Sequence, residues 1–187
     1  MANMVDDPTP RIAVRLHLER TRRGWSLQRF AEETGVSKAM LSKLERAESS
    51  PTAAMLGRIS GALGITLSSL LGEAGPGSRV LRAGGQPLWR DPETGYLRRQ
   101  VSPLSDLPFQ LVEVVLPPGT RVEYPASAYA FLRQVIWVLQ GRLEFHEGRH
   151  VHQLYAGDCL ELGEPEDCAF VNSRRVACRY LVVVASK

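Results

Sequence analysis

The sequence has few cysteines, no long hydrophobic run and no strong excess of either charge. Its three cysteines, Cys159, Cys168 and Cys178, are an odd number without CxxC spacing, which predicts reduced thiols in the core rather than a disulfide framework or a zinc site. No apolar run approaches the length of a membrane span, and the first residues, MANMVDDPTP, lack the features of a secretory signal. We therefore expect a cytoplasmic protein that does not enter a membrane.

The positive charge is concentrated in one part of the chain. The formal net charge is only +3 over 187 residues, but the segment from Arg11 to Arg58 carries ten basic and five acidic residues. Residues 74–187 carry 13 basic and 12 acidic residues and are nearly neutral. This distribution is expected when only one domain of a protein contacts phosphates.

Short helices with clear capping signals are predicted over residues 11–72. The signals, in chain order, are Ser26, Gly35, Ser37, Pro51 and Thr52. A short helix from about Leu67 to Leu71 closes this segment. The first helix is less regular. Its apolar stripe would require an apolar residue at position 19 and a polar one at position 18, but the sequence has Leu18 and Glu19.

The composition changes after the helical segment. Residues 73–85 are rich in glycine and predict a linker. Four β-type runs follow, namely Leu111 to Leu116, Gln134 to Leu139, Arg142 to His146 and Tyr180 to Ala185. Short strands without intervening helices favour a sandwich or small barrel. We therefore expect an α+β chain of two domains, all-α over residues 11–72 and all-β over residues 86–187, after a disordered arm at residues 1–10.

A helix, a glycine-containing turn and a second helix are predicted around Gly35, and this arrangement places the second helix in the DNA major groove. With its motifs Gly35-Val36-Ser37, Leu44-Glu45 and Ser50-Pro51-Thr52, the segment 11–72 resembles the XRE-type helix-turn-helix regulators, a family of five-helix domains like those of phage repressors. The resemblance implies a recognition helix from Ser37 to Arg46 and double-stranded operator DNA as the partner.

The resemblance assigns DNA contacts to named residues of the motif. Base contacts would come from Lys38, Ala39, Ser42 and Lys43, because lysine donates to guanine, serine pairs with several base edges and the alanine methyl can contact thymine. Backbone contacts would come from Gln28, Ser37 and Arg46. The alternative is that the two lysines are only part of a solvated face.

From about Leu116 to Asn172 the sequence resembles the cupin family, small barrels of the double-stranded β-helix or jelly-roll type that often bind a metal. The resemblance rests on the turn motifs Pro118-Gly119, Val138-Leu139-Gln140-Gly141 and Ala156-Gly157-Asp158. The usual metal-ligand positions hold Pro125, Ser127, Gln134 and Cys168, which is too poor a donor set for a metal site. We therefore expect neither a metal nor another cofactor.

The same residues predict an all-β sensor with a cavity for a small organic effector, lined by Tyr124, Ser127, Gln134 and Cys168. Two alternatives stay open: these side chains could simply fill the barrel, or Cys168 could be a redox sensor, although the neighbouring acidic residues would raise its pKa. The histidines His146, His150 and His152 flank one hairpin turn and could hold an accessory metal, but solvated histidines are favoured.

Together, the resemblances predict a regulator rather than an enzyme, whose barrel binds an effector and changes the affinity for operator DNA. A homodimer is expected because one helix-turn-helix unit reads few base pairs. Trp89 and Trp137 are candidates for its contact face, with a place in the core as the equal alternative. Residues 35–52 look like those of regulators linked to the use of sulfur compounds, which suggests an amino acid or a sulfur compound as effector. A cupin-type enzyme with an appended DNA-binding domain and an antitoxin-like protein-interaction module are the alternative functions.

Overall fold

A computed structural model describes residues 8–71, 79–103, 105 and 107–186 of the chain. Of the expected disordered arm at residues 1–10, residues 1–7 lie outside these ranges. Of the expected linker at residues 73–85, residues 73–78 lie outside them. None of the helices described has the length and hydropathy that a membrane span requires.

Five helices form the N-terminal domain, as predicted. They are α1 Thr9–Arg22, α2 Leu27–Thr34, α3 Lys38–Glu45, α4 Ala53–Leu63 and α5 Leu67–Leu71. Ser26 begins α2 by accepting a hydrogen bond from the Arg29 backbone N–H, and Gly35 ends it in the left-handed conformation. Ser37 begins α3 in the same way, with the Met40 N–H as donor. The predicted capping signals therefore act as expected at both ends of the turn.

The irregular pattern of α1 has a physical cause. Glu19 is buried, and its carboxylate binds Arg15 (2.9 Å) and Arg23 (2.6 Å). Leu18 points outward and keeps 43% of its surface exposed. A buried carboxylate is tolerated because these guanidinium groups provide its countercharge and its hydrogen bonds.

The described residues of the C-terminal domain form ten strands. They are β1 Leu88–Arg90, β2 Leu97–Gln100, β3 Phe109–Leu116, β4 Thr120–Tyr124, β5 Leu132–Gln140, β6 Arg142–Glu147, β7 His150–Tyr155, β8 Cys159–Glu161, β9 Cys168–Asn172 and β10 Cys178–Ser186. One antiparallel sheet has the order β1-β2-β3-β10-β5-β8 and the other the order β4-β9-β6-β7. The four strands predicted from the sequence correspond to β3, β5, β6 and β10, with longer bounds.

The two sheets enclose an aromatic core. The ring of Phe170 on β9 lies parallel to that of Tyr180 on β10 with centroids 5.7 Å apart, and it also contacts Phe145 at 4.9 Å. Trp89 is only 3% exposed and meets the edge of Tyr96 at 5.6 Å, so it belongs to the core. Its proposed place on a dimer contact face is therefore wrong, because its ring is covered within its own chain.

Helix α4 joins the two domains. It lies against β4 and against the 3₁₀ turn Ala126–Ala128 of the barrel, and the apolar core is continuous across this contact. A Cβ atom added to Gly57 would lie 2.5 Å from the Tyr124 ring, and one added to Gly61 would lie 2.7 Å from the Ser127 carbonyl oxygen. The two glycines therefore permit an approach that no larger residue would allow.

A buried carboxylate of the barrel strengthens the same contact. Asp91, which is 1% exposed, accepts a hydrogen bond from the backbone N–H of Ala53 (3.0 Å) at the start of α4. Its other oxygen accepts from the backbone and side chain of Thr94. A negative charge at a helix N-terminus is favourable, because the first N–H groups of the helix have no partner within it.

We expect the Gly61→Ala substitution to destabilise the full chain by about 1 to 3 kcal/mol, because the added methyl group would overlap backbone that cannot move without opening the domain contact. Chemical denaturation would measure the free energy of unfolding. Gly84→Ala is the matched control, since nothing lies within 4 Å of its Cβ position. A Gly61→Ala protein as stable as the Gly84→Ala protein would show that the contact is not tight in solution.

Candidate nucleic-acid interface and barrel cavity

The predicted DNA-contact residues share one face of the α2-turn-α3 unit. Leu41 and Leu44 of α3 are buried against the domain core, which turns the opposite side of the helix outward. On that side lie the four predicted base-contact residues, of which Lys38, Ala39 and Lys43 are exposed and Ser42 is half-buried. Lys38 and Ser42 are four residues apart, as are Ala39 and Lys43, so all four lie along one stripe of the helix.

The three residues predicted to contact the DNA backbone are also exposed. Ser37 begins α3, Gln28 lies in the first turn of α2 and donates to Glu32 (3.1 Å), and Arg46 follows α3 and pairs with Glu48 (2.8 Å). Both side-chain pairs are solvent-exposed, so water screens them and a phosphate can replace the carboxylate at little cost.

An ion pair joins α1 to the end of α3. The Glu45 carboxylate at the end of α3 receives Arg20 Nε at 2.6 Å and Nη2 at 2.9 Å, and it also contacts His17 Nδ1 at 3.0 Å. Burial by itself would raise the pKa of Glu45, but the hydrogen bonds from Arg20 and His17 outweigh it and lower the pKa. The bidentate geometry sets the angle of α3 on α1.

Two neighbouring cavities of the barrel share the lining residues Tyr129, Leu132 and Gln134. The inner cavity, of about 60 Å³, is lined by Tyr124 and Gln134 of the predicted ligand set among mainly apolar side chains. The mouth cavity, of about 600 Å³, is lined by Gln134 and Cys168 of that set together with acidic side chains. The structure therefore places Tyr124, Gln134 and Cys168 along this space, with Gln134 common to both cavities.

Ser127, the fourth member of the predicted ligand set, lines neither cavity. It is exposed and belongs to the 3₁₀ turn Ala126–Ala128, whose backbone packs on Gly61 of α4. The tight contact with the helix directs this turn toward the domain boundary rather than into the barrel. The sequence gives no sign of this contact, because it depends on a segment more than 60 residues away.

The cupin ligand positions do not provide a metal site. Pro125 has no side-chain donor, Ser127 is on the outside, and Gln134 and Cys168 leave only one amide and one thiol. Within the described ranges, no three side chains of His, Cys, Asp or Glu come together as a metal site would require. The hairpin histidines pair instead with acids, His146 with Glu144 at 2.6 Å and His152 with Glu147 at 3.6 Å.

The three cysteines are free thiols, as predicted, but they differ in exposure. Cys168 and Cys178 are buried, whereas Cys159 is exposed, so the expectation of three core residues is wrong for Cys159. Cys159 starts the edge strand β8 beside the exposed Trp137. Burial raises the pKa of Cys168 to about 12 and that of Cys178 to about 11. For Cys168 this value results from burial together with the charges of Glu147 and Asp167, against the hydrogen bond to Tyr129, which lowers the pKa.

We expect only one of the three thiols to react rapidly with a chromogenic disulfide reagent at neutral pH, because the thiolate is the nucleophile and the raised pKa values leave the buried residues protonated. Cys159→Ser should abolish this rapid phase, and Cys178→Ser, as the control, should leave it unchanged. All three thiols should react in denaturant. Rapid reaction of Cys168 in the folded protein would restore the redox-sensor alternative.

Comparison with known proteins matches both halves of the chain. Residues 16–70 match the family described as HTH_3, helix-turn-helix. A 52-residue stretch is 56% identical to the HTH-type transcriptional regulator SutR of Escherichia coli K12, and the match spans 28% of this chain and 29% of that protein. The chain therefore matches less than a third of the length of this relative.

The fold of the whole chain also has a solved counterpart. An HTH_3 family transcriptional regulator from Vibrio cholerae superposes with a TM-score of 0.76 at 25% identity, over 95% of this chain and 96% of that one. The cupin_2 domain of an XRE family regulator from Enterobacter cloacae is similar to 48% of this chain, with 95% of that chain covered, 19% identity and a TM-score of 0.45. The helical segment 16–70 therefore matches the helix-turn-helix family model, and the whole chain is similar in fold to a solved HTH_3 family transcriptional regulator.

Proposed function

We propose that the protein is a DNA-binding transcription regulator whose cupin domain binds a small organic effector and thereby changes its affinity for operator DNA. The observation that carries the DNA-binding part is the exposed stripe on α3, with Lys38 and Lys43 on a helix whose other side is buried. This geometry suits a recognition helix in the major groove, with lysine donors facing the base edges and phosphates.

The sensor part of the proposal is supported by the barrel. Its cavities combine apolar walls with a few hydrogen-bonding groups, which is typical of small-molecule sites. A cupin-type enzyme is the second candidate, but the residues at the ligand positions of this chain do not fit the metal on which such an enzyme depends. A binding role without chemistry therefore accounts best for the side chains that line the cavities.

The DNA-binding proposal is tested on sites selected from random double-stranded DNA with the full chain. We expect Lys43→Ala and Lys38→Ala each to weaken binding by about 1 to 3 kcal/mol, with relaxed sequence preference if the lysine reads a base. If the lysine contacts a phosphate instead, the loss should be similar for all sequences and the salt dependence should fall.

Arg175→Ala is the control for these variants, since it removes one exposed positive charge from the loop between β9 and β10. It should bind selected DNA like the parent protein. The assignment of α3 as the recognition helix fails if both lysine variants match this control.

The proposed operator complex contains two copies of the chain, and the outer face of the six-stranded sheet is suited to join them. Trp137 on β5 is 47% exposed and lies in register with Leu181 on β10, beside the pair Val135 and Val183. Glu113 at the rim of this apolar face lies 3.4 Å from Arg99 and 3.5 Å from Arg179. A rim with both signs of charge can complement its own copy across a two-fold axis.

We expect Trp137→Glu to produce monomers and to weaken operator binding by at least tenfold, because a carboxylate at the centre of the face would be buried without a partner. Light scattering gives the mass, and DNA titration gives the affinity. Tyr155→Glu is the matched control, since Tyr155 is an exposed aromatic residue (54%) on the other sheet. A dimer that survives Trp137→Glu must use another surface.

A further inference from the structure

We propose that the inner cavity binds a small organic anion, a carboxylate with a short apolar chain, and that Arg98 holds this carboxylate while it also contacts the DNA-binding domain. The inference rests on the proposed sensor function and specifies its ligand class and the first step of its regulation. It depends on one side chain that the sequence analysis did not single out.

Arg98 is a buried cation that lines the inner cavity. It lies on β2 opposite the buried residues Val114 and Trp89, and only 8% of its surface is exposed. Its Nη2 donates to the Ser68 hydroxyl of α5 (3.0 Å). Among the residues that the structure describes, no carboxylate oxygen lies within 4.0 Å of a guanidinium nitrogen of Arg98, the distance that defines an ion pair. The guanidinium is thus buried with a neutral partner only.

This arrangement favours an anion. A guanidinium group has five N–H donors in a planar fork that matches a carboxylate, and burying it without a countercharge is costly. Asp91 lies near Tyr96, as Arg98 does, but its oxygens are already bonded to Ala53 and Thr94. A ligand carboxylate would provide the charge that the chain itself does not.

Two tyrosines add neutral polar groups beside Arg98. Tyr124 donates its hydroxyl hydrogen to the Tyr96 oxygen (3.3 Å), which leaves the Tyr96 O–H to donate elsewhere in the cavity. Burial raises the pKa of both tyrosines, so both hydroxyls stay protonated and carry no negative charge that would compete with a ligand. The polar end of the cavity therefore consists of donors and one positive charge.

The remaining walls and the size define the rest of the ligand. Valine side chains of β3 and β10, with Leu132 and Phe170, make most of the cavity apolar. Its volume of about 60 Å³ is several times the roughly 10–15 Å³ of cavity volume that one water molecule needs. A carboxylate with one or two further carbon atoms is the size of organic anion that suits this space.

The mouth cavity favours the opposite ligand charge. It contains Glu147, Glu161, Glu164 and Glu166 with a single cation, Arg133, so a cationic ligand would be attracted there. Arg98 would repel the same cation from the inner cavity. We therefore expect an anion to bind in the inner cavity and a cation to bind in the mouth cavity.

The DNA-binding domain forms part of the same cavity wall. Thr66 and Leu67, at the start of α5, line the cavity beside Arg98, and the Thr66 hydroxyl donates to the side chain of Gln110 on β3 (3.3 Å). A bound carboxylate would compete with Ser68 for the Arg98 donors and would contact α5 directly. Helix α5 would then have one arrangement with the Ser68–Arg98 hydrogen bond and another without it. A ligand that binds these two arrangements with different affinity shifts their populations.

Propionate is the probe for the anion site, with propionamide as its neutral analogue and propylamine as its cationic analogue. Calorimetric titration of the full chain at constant sodium chloride concentration should give saturable binding of propionate at one site per chain. Propionamide should not bind detectably at the same concentrations, and propylamine, which the acidic mouth cavity can hold, should not displace propionate. Equal binding of propionamide, or displacement of propionate by propylamine, would overturn the assignment of an anion site.

Arg98→Gln should weaken propionate binding by at least tenfold. Arg99→Gln is the matched control, because Arg99 follows on the same strand but points to the other face and pairs with Glu113, and it should stay within twofold of the parent protein. If Arg98→Gln does not fold, Arg98→Lys keeps the charge without the planar fork and should still weaken binding at least threefold. Unchanged affinity in the folded Arg98 variant would refute the role of this residue.

Operator titration separates this inference from the function on which it rests. Propionate should change the operator affinity of the parent protein at least fivefold, and Ser68→Ala should retain propionate binding but reduce that change to less than twofold. Operator binding without propionate binding would refute the ligand class and leave the regulator intact. Propionate binding without operator binding would refute the proposed function and leave the anion site intact.

Discussion

The close approach of α4 to the barrel is the constraint on which the rest of the structure depends. Gly57 and Gly61 leave no space for a side chain, and the helix start is held by the Asp91 carboxylate. The two domains consequently share one apolar core and cannot rotate freely against each other. The inner cavity lies beside this contact, so its walls come from both domains, with Thr66 on one side and Arg98 on the other.

Buried charge is used differently in the two domains. In the helical domain Glu19 is buried and Glu45 is half-buried, and arginine donors neutralise each of them. These pairs hold α1 and α3 in one arrangement. In the barrel, the Ser68 hydroxyl is the one hydrogen-bond partner of the Arg98 side chain among the residues that the structure describes. Paired charges make the first domain rigid, whereas the single charge gives the second domain a preference for ligands of one sign.

Much of the fold could be predicted because its signals are local. Ser26, Gly35 and Ser37 identify the turn between α2 and α3, and the periodic apolar residues identify the buried sides of the helices. The left-handed residue that ends α3 gave no signal, because it is Ala47 (φ 56°) rather than the usual glycine. Its N–H still bonds to the Leu44 carbonyl, so the hydrogen bonds of the turn overcome the local preference.

The barrel site was harder to predict because it depends on contacts between distant segments. Alternation places Gln134 on the inner face of β5, and the cavity includes it. The short strand β2 has two successive arginines, and only its pairing with β3 decides that Arg98 faces inward while Arg99 faces Glu113. Ser127 occupies a familiar position in the motif, but helix α4 of the other domain determines where its turn lies.

The glycines of α4 also have a consequence for how such regulators diversify. A domain joined to its neighbour only by a tether can be exchanged for another by recombination, because no surface has to match. Here the helix surface at Gly57 and Gly61 and the barrel surface at Tyr124 and Ser127 are complementary at the level of single methyl groups. A new specificity of the proposed ligand site is therefore reached more readily by point substitutions inside the barrel than by transplanting another barrel behind the same helical domain.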